Sequence, residues 1–128
     1  MTGNEAVNAA LQLLNYTNQN GQVDSANAQE FFGRARTVVN QIYADLWRLG
    51  NPPDTFVPLD DLNESLALSE DVCRNALVYG AAMLFAQSES DGDNQALYAS
   101  LYNQRRTVAA HGIGYIDIWR REIGRAHV

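Results

Sequence analysis

Residues that stop helices are grouped at a few positions in this chain, and this grouping limits the folds it can adopt. Glycine, asparagine, proline and serine cluster near positions 15–21, 50–53, 88–92 and 111–114. Between these clusters, apolar side chains recur at steps of three and four residues, which is the period of one helical face. Proline cannot continue a helix and biases the preceding residue towards extended backbone. The sequence therefore predicts an all-α fold, a small four-helix bundle.

We expect helices over 3–16, from about 24 or 25 to 49, over 69–87 and over 94–110. Ser69 is a good cap for the third helix, and Asp91 or Asp93 for the fourth. Gly80 in the third helix costs about 1 kcal/mol relative to alanine, so close approach of another helix is the expected compensation. In the fourth helix, Tyr98 and Tyr102 are expected to bury their rings and keep their hydroxyls in water.

A long connection joins the second and third predicted helices over residues 54–68. Pro58 and the acidic pair Asp60-Asp61 argue against a helix, while the apolar residues are spaced to reach a core. Structureless loops of this length are uncommon in compact domains. We therefore expect a long ordered loop, and we take three of its acids as candidates for a functional surface: Asp54, Asp60 and Asp61.

The last sixteen residues have a different pattern. Residues 113–119 are rich in strand formers, with apolar side chains on both faces of the expected strand. A lone strand has no sheet to join in a four-helix domain, so it either packs back on the bundle or pairs with another chain. We predict a helical domain over 1–112 and an extended, partner-binding C-terminal arm over 113–128.

The charge of the chain is unevenly distributed. Its formal net charge is −6, with 15 acidic residues, nine basic ones and no lysine. Residues 1–112 carry −7 and residues 113–128 carry +1. Proteins that read DNA sequence need basic surface to neutralise phosphate, so an acidic body argues against that role. The alternative explanation of the acidic body is solubility alone.

Residues suited to catalysis or metal binding are scarce. Cys73 is the single cysteine and cannot form a disulfide within the chain or supply a zinc set, so it is expected to fill space on the third helix. The sequence does not begin with basic residues followed by an apolar stretch, the pattern of a secretory signal. It also has no apolar run long enough to span a membrane. The acids at 89, 91 and 93 are better explained as helix caps than as a calcium loop. We expect no catalytic, cofactor-binding or metal-binding residues, and no enzyme activity.

Three charged residues in the predicted helices each have two possible interpretations. Asp45 lies beside aromatic residues and could be a buried acid, although a surface position is favoured. Arg105 and Arg106 could contact phosphate, although cations are favoured near a helix C-terminus in any case.

The motifs over residues 30–107 follow one another in the order found in one protein family. This order begins with Asn40-Gln41-Ile42-Tyr43-Ala44-Asp45-Leu46-Trp47 and continues with Phe56-Val57-Pro58-Leu59-Asp60-Asp61-Leu62. A helix with Tyr79-Gly80, an acidic break at 89–93 and a helix with Tyr102-Asn103-Gln104-Arg105 follow. The chain is similar to the head–tail connector (adaptor) proteins of tailed bacteriophages.

This resemblance implies a structural virion protein rather than an enzyme. Such adaptors form a ring, expected to be twelvefold, that docks on the portal and extends the DNA channel between capsid and tail. The implied partners are the portal protein, further copies of the chain, the next connector or tail protein, and double-stranded DNA that passes without sequence-specific binding. The implied location is the neck of the virion, after assembly in the host cytoplasm.

The candidate residues follow from this interpretation. The C-terminal arm would contact the portal or a neighbouring subunit through Tyr115, Ile116, Ile118, Trp119, Arg120 and Arg121. The connecting loop would face the channel or the tail through Asp54, Asp60 and Asp61. The alternative is another phage-encoded helical interaction module, such as a small DNA-packaging or regulatory protein. A bundle hydrolase that binds metal through carboxylates is the third and weakest possibility.

Overall fold

A computed structural model describes the backbone of residues 1–16, 25–50 and 52–126 and the side chains of 1–16, 32–50 and 52–109. The helices are α1 (Gly3–Leu13), α2 (Ser25–Leu49), α3 (Glu70–Val72), α4 (Val78–Ser88) and α5 (Gly92–Ala126). A π-helical turn, Cys73–Leu77, joins α3 to α4, so that residues 70–88 form one continuous helical segment. The described residues contain four such segments and no strand, which confirms the all-α bundle.

The observed helix boundaries lie within three residues of the predicted ones, except at the C-terminal end of the fourth helix. The Ser69 hydroxyl accepts the Val72 amide at 3.2 Å and caps the third segment. Just after the C-terminal end of α1, Asn15 has a left-handed backbone with φ 59°, a conformation that asparagine tolerates better than most residues. The π-helical turn was not predicted. In that turn the Val78 amide donates to the Cys73 carbonyl, five residues back instead of four.

The C-terminal segment differs from its prediction. The backbone of 113–126 is helical and continues α5, so the expected end of the fourth helix near 110 and the expected extended conformation are wrong. Two glycines at 112 and 114 cost about 1 kcal/mol each in a helix. Extending an existing helix needs no new nucleus, however, and it pairs backbone groups that a lone strand leaves open.

Because α5 runs through residue 112, no backbone break marks the predicted division into 1–112 and 113–128, and that division stays a prediction. At 35 residues α5 is long, yet within the described part of the chain no helix combines the length and apolarity needed to cross a bilayer.

One core holds the bundle together. Phe85 is its largest fully buried side chain, and Cys73 is buried as expected. At Gly80, a Cβ atom would lie 2.8 Å from both Ile42 Cγ2 and Tyr102 Cε1. The absence of a side chain there lets α2 and α5 pack directly on the α4 backbone. The close helix approach predicted for Gly80 is therefore confirmed.

Candidate functional site

The connection between α2 and α3 is fixed to one face of α2. The Asn40 side chain forms two hydrogen bonds with the Leu59 backbone, accepting its N–H at 2.8 Å and donating to its carbonyl at 2.9 Å. One turn earlier, Arg36 Nη1 donates to the Asp60 carbonyl at 3.0 Å. Each α2 side chain thus replaces water as a partner of the loop backbone, and the middle of the loop is held in place.

An aromatic cluster extends this attachment towards the C-terminal end of α2. The Phe56 ring packs against Tyr43 at 5.0 Å between centroids and against Trp47 at 6.2 Å. The Tyr43 hydroxyl accepts the Ala67 amide at 2.9 Å. Counting from Arg36, the four anchoring positions on α2 are spaced by four, three and four residues, which places them on a single helical face.

The N-terminal residues hold the other end of the loop. The amides of Gly3 and Asn4 donate to the carbonyls of Glu64 and Leu62 at 3.2 and 2.8 Å. The Asn4 side chain also donates to Asn63 Oδ1 at 2.7 Å. Together with Leu59 and Leu66, which are each only 5% exposed, these contacts confirm an ordered loop that reaches the core. We call residues 52–68 the anchored loop.

The outer surface of the anchored loop is acidic. Residues 52–68 contain four carboxylates and no basic residue. Asp54, Asp60 and Asp61 are all exposed, and Glu64 Oε1 accepts the amides of Asp60 and Asp61 at 3.2 and 2.9 Å. Val57 lies on the same loop and is 71% exposed. The structure therefore gathers the three predicted loop acids on one preorganised element, beside an exposed apolar residue that the sequence analysis did not select.

Replacing Asn40 with alanine should lower the free energy of unfolding by about 1 kcal/mol. The substitution leaves a part-buried amide and carbonyl of Leu59 without partners, and the higher helix propensity of alanine offsets some of this cost. Urea unfolding measures the change, and hydrogen exchange at the Leu59 amide should become faster. Asn8→Ala is the control, since Asn8 is an exposed residue of α1 and gains the same propensity. Equal stabilities of the two variants would contradict this account of the loop.

A second polar cluster joins α2 to α5. Arg106 donates from Nε and Nη2 to the two Asp45 carboxylate oxygens, both at 2.8 Å, and the Tyr102 hydroxyl donates to Asp45 Oδ2 at 2.6 Å. The hydrogen bonds from Arg106, and then that from Tyr102, hold the pKa of Asp45 below its usual value. Burial and the Asp45 carboxylate raise the pKa of the Tyr102 hydroxyl.

This cluster corrects two interpretations. Asp45 is half-buried rather than at the surface, because two donors from α5 compensate its charge. Arg106 is not at a helix C-terminus, because α5 continues for another twenty residues to Ala126. Its guanidinium is paired with Asp45, which makes a phosphate contact unnecessary to explain it.

The neighbouring arginine has a different environment. The Arg105 guanidinium stacks on the Tyr79 ring at 4.0 Å from its centroid, and Nη1 donates to the Asn75 carbonyl at 3.3 Å. Asn75 belongs to the π-helical turn. Tyr79-Gly80 and Tyr102-x-x-Arg105, two of the motifs that carry the family resemblance, therefore meet where α4 packs on α5.

The acidic turn between α4 and α5 is held by its own neighbours. Arg34 pairs with Glu89 at 3.1 Å, and the Tyr16 hydroxyl donates to Asp91 Oδ2 at 2.7 Å. Asp91 also accepts the Asn94 amide at 3.4 Å, the capping role predicted from the sequence. These hydrogen bonds from Tyr16 and Asn94 lower the pKa of Asp91. No group of three metal-ligating side chains occurs among the described residues.

The predicted C-terminal interface falls outside the described side chains. The backbone at Tyr115, Ile116, Ile118, Trp119, Arg120 and Arg121 belongs to α5, and their assignment to a portal or subunit contact stays a prediction.

No protein-family model, curated protein or solved structure matches the chain. The structure by itself places the chain in the class of small all-α bundles, with an anchored acidic loop and a long C-terminal helix.

Proposed function

We propose that this chain is a structural subunit of a tailed-phage virion, an adaptor that forms a ring on the portal and extends the DNA channel towards the tail. The observation that carries the proposal is the anchored loop, a long connection that the bundle holds at both ends and in the middle while its acids face outward. A rigid scaffold that presents one loop is the usual arrangement of a recognition surface. Two motifs of the family resemblance, Tyr79-Gly80 and Tyr102-x-x-Arg105, contact each other where α4 packs on α5, and this contact supports the adaptor assignment.

The charge of the loop suits a channel or a tail-facing rim. Exposed carboxylates repel phosphate, so DNA passes such a surface without adhering to it. Asp54, Asp60 and Asp61 are the residues that we assign to this role. The alternative, a small DNA-packaging or regulatory protein, would need free basic surface. Of the arginine pair in α2, Arg34 is neutralised by its ion pair with Glu89, and Arg36 donates to the Asp60 carbonyl beside the loop acids, so the pair does not form a free basic patch.

We assign portal and subunit contacts to the C-terminal part of α5. In the sequence, Ile116, Trp119 and Ile123 are three and four residues apart, which is the spacing of an amphipathic helix. A helix of this kind docks by laying its apolar face in a groove of the partner. Arg120 and Arg121 would then meet acidic partner surface. The contact therefore remains a C-terminal one, but it would be made by a helix rather than by an added strand.

Portal binding tests this proposal. The full chain and its Ile116→Ser/Trp119→Ser variant would be titrated against the portal ring encoded in the same genome, with electron microscopy of the complexes. We expect a ring of the chain on the portal, and a loss of affinity of at least tenfold for the double variant. Val108→Ser is the matched control, because Val108 is also an apolar residue of α5 and is 67% exposed.

The outcomes separate the two parts of the assignment. Failure of the unaltered chain to bind the portal would contradict the adaptor function. Equal binding by the double variant and the Val108 control would leave the adaptor function standing and remove the C-terminal contact.

A further inference from the structure

The helix α5 carries two of the four large hydrophobic side chains that are exposed in the described part of the chain. Leu97 is 50% exposed and Val108 is 67% exposed. They are eleven residues apart, which is close to three helical turns, so they lie on one line along α5. The half-buried Leu101 and the exposed Gln104 fall on the same line between them. The described part of α5 therefore has an apolar flank that its own bundle leaves largely open.

The same steps of three and four residues continue along the rest of the helical backbone of α5. The side chains beyond Ala109 lie outside the described ones, so their positions on the flank follow from the sequence and the backbone. An eleven-residue period matches a nearly straight helix, so the line does not wind around α5. It is about 40 Å long, the length at which apolar repeats sustain a coiled coil. We call these positions the α5 stripe: Leu97, Leu101, Gln104, Val108, Gly112, Tyr115, Trp119 and Ile123.

The neighbouring helical segment 70–88 is too short to cover the α5 stripe. It packs antiparallel on α5, and Arg105 donates to the Asn75 carbonyl at 3.3 Å. Asn75 lies thirteen residues before the end of α4, and Arg105 lies thirteen residues after the start of α5. By the same count Glu70, the first residue of α3, is level with residue 110. The backbone of 111–126 therefore continues past this segment.

The α5 stripe is nearly symmetric about residue 110. The pairs of positions equally far from this centre are Leu97 with Ile123, Leu101 with Trp119, and Val108 with Gly112. A second copy of α5 laid antiparallel across a two-fold axis near residue 110 brings the two members of each pair into one layer. Gly112 opposite the exposed Val108 lets the two helices approach closely at the centre. A parallel copy would instead set Gly112 against Gly112 and Gln104 against Gln104, which leaves a gap and a polar layer.

The charges at the two ends of α5 favour the antiparallel pairing as well. Glu89 is compensated by its ion pair, but Asp93 is exposed and the hydrogen-bond partners of Asp91 are neutral, so the start of α5 keeps a charge of −2. Residues 120–125 contain three arginines and one glutamate, a net charge of +2. The pairing sets Arg125 of one copy about 3 Å along the axis from Asp93 of the other. Opposite charges beside an apolar seam select the orientation of paired helices.

We propose that the free chain forms an antiparallel dimer through the α5 stripe, with a second copy of this chain as the occupant. The contact is two-fold, so it is not the head-to-tail contact of a ring. It uses no residue of the anchored loop, whose acids keep the role proposed above. Trp119 belongs to both the dimer and the proposed portal contact, so docking on the portal must separate the two copies. This last consequence rests on the proposed function, whereas the dimer requires only this chain.

Sedimentation velocity over a concentration series tests the dimer in the full chain. Val108→Asp puts a charge into the central layer, where it loses water without gaining a partner, so we expect the dimer dissociation constant to rise at least tenfold. The matched control is Asn103→Asp, an exposed residue of α5 outside the stripe with the same change of charge, which should leave the constant unchanged. A monomeric unaltered chain, or equal constants for the two variants, would overturn the proposal. Circular dichroism checks that each variant remains helical.

Disulfide cross-linking tests the antiparallel register. Leu97→Cys and Ile123→Cys, mixed and oxidised at pH 8, should give a mixed dimer, while neither variant alone should dimerise because its two thiols lie about 40 Å apart. Cys73 stays out of the reaction because it is fully buried and burial raises the pKa of its thiol to about 11. The matched control, Asn103→Cys mixed with Ile123→Cys, should give no dimer.

The results separate this dimer from other arrangements and from the adaptor function. Cross-linking of Leu97→Cys to itself would show a parallel pair and overturn the proposal, as would the absence of the mixed dimer. Val108 lies outside the proposed portal contact, so its replacement should not weaken portal binding. A dimer that does not bind the portal would support this inference and contradict the adaptor function. Portal binding by a chain that stays monomeric in solution would do the reverse.

Discussion

Replacing Gly80 with alanine should lower the free energy of unfolding by about 2 kcal/mol. The added Cβ would lie 2.8 Å from Ile42 Cγ2 and from Tyr102 Cε1, closer than atoms in contact can approach. Neither neighbour moves easily, since Cγ2 is bonded to the Cβ atom of a β-branched side chain, whose χ1 angle is restricted in a helix, and the Tyr102 ring is held through its hydroxyl by Asp45. Overpacking of this kind costs about 3 kcal/mol, and the better helix propensity of alanine returns about 1 kcal/mol.

The matched control is Gly33→Ala in α2. A Cβ at Gly33 has no neighbour within 4 Å, so only the propensity gain of about 1 kcal/mol should remain. The same substitution thus has opposite signs at the two glycines, a difference of about 3 kcal/mol in urea or thermal unfolding. If both variants were stabilised, α2 and α5 would not pack on Gly80 as described.

Gly80 also shows how far the sequence could predict this fold. A glycine inside an apolar helical pattern has a known cost, so its presence predicted a close neighbour, and the structure has two. The neighbours themselves could not be named. Ile42 and Tyr102 are 38 residues before and 22 residues after Gly80, and helical periodicity carries no information about which faces meet. The partners of Asp45 could not be named from the sequence for the same reason, because both of its donors, Tyr102 and Arg106, lie on a helix distant in sequence.

The tyrosine hydroxyls were predicted wrongly for a related reason. Amphipathic side chains at the edge of an apolar stripe usually keep their polar tips in water. In the structure, however, Tyr102 donates to Asp45 and Tyr98 donates to the Leu13 carbonyl at 2.8 Å. Each partner lies on another helix, so no local pattern could reveal it. Both tyrosines are therefore more fully buried than their edge position suggested, at 5% and 8% exposure.

At the candidate site, the sequence located the element but not its attachment. The prolines and the length of the connection predicted an ordered loop with exposed acids, and Asp54, Asp60 and Asp61 are exposed. The anchors on α2, Arg36, Asn40 and Tyr43, share one helical face. They differ in residue type, however, so periodicity alone does not identify them as partners of the loop. At the C-terminus, β-branched residues favoured a strand, yet β propensity depends strongly on available neighbours and the bundle offers no sheet.

Replacing Asp45 with asparagine should lower the free energy of unfolding by about 2 kcal/mol at neutral pH. Asparagine has nearly the same shape, but it loses the negative charge that accepts two hydrogen bonds from Arg106. Paired hydrogen bonds between a guanidinium and a carboxylate are stronger than neutral ones. Both side chains remain about one-third exposed, at 34% for Arg106 and 27% for Asp45, so solvent reduces the effect below that of a fully buried pair. The control is Asp54→Asn on the exposed loop surface, which should change stability by less than about 0.5 kcal/mol.

The pH dependence identifies the cause of this loss. Because the pKa of Asp45 is lowered in the folded protein, its stabilising contribution is complete above the unfolded value of about 3.9 and is lost as the pH falls through the folded value. The difference between the unaltered chain and Asp45→Asn should therefore be constant from about pH 7 to pH 5 and shrink below about pH 4. Denaturant unfolding at several pH values measures it. A difference that persisted undiminished at pH 2 would show that the substitution acts through packing rather than through the charge of the carboxylate.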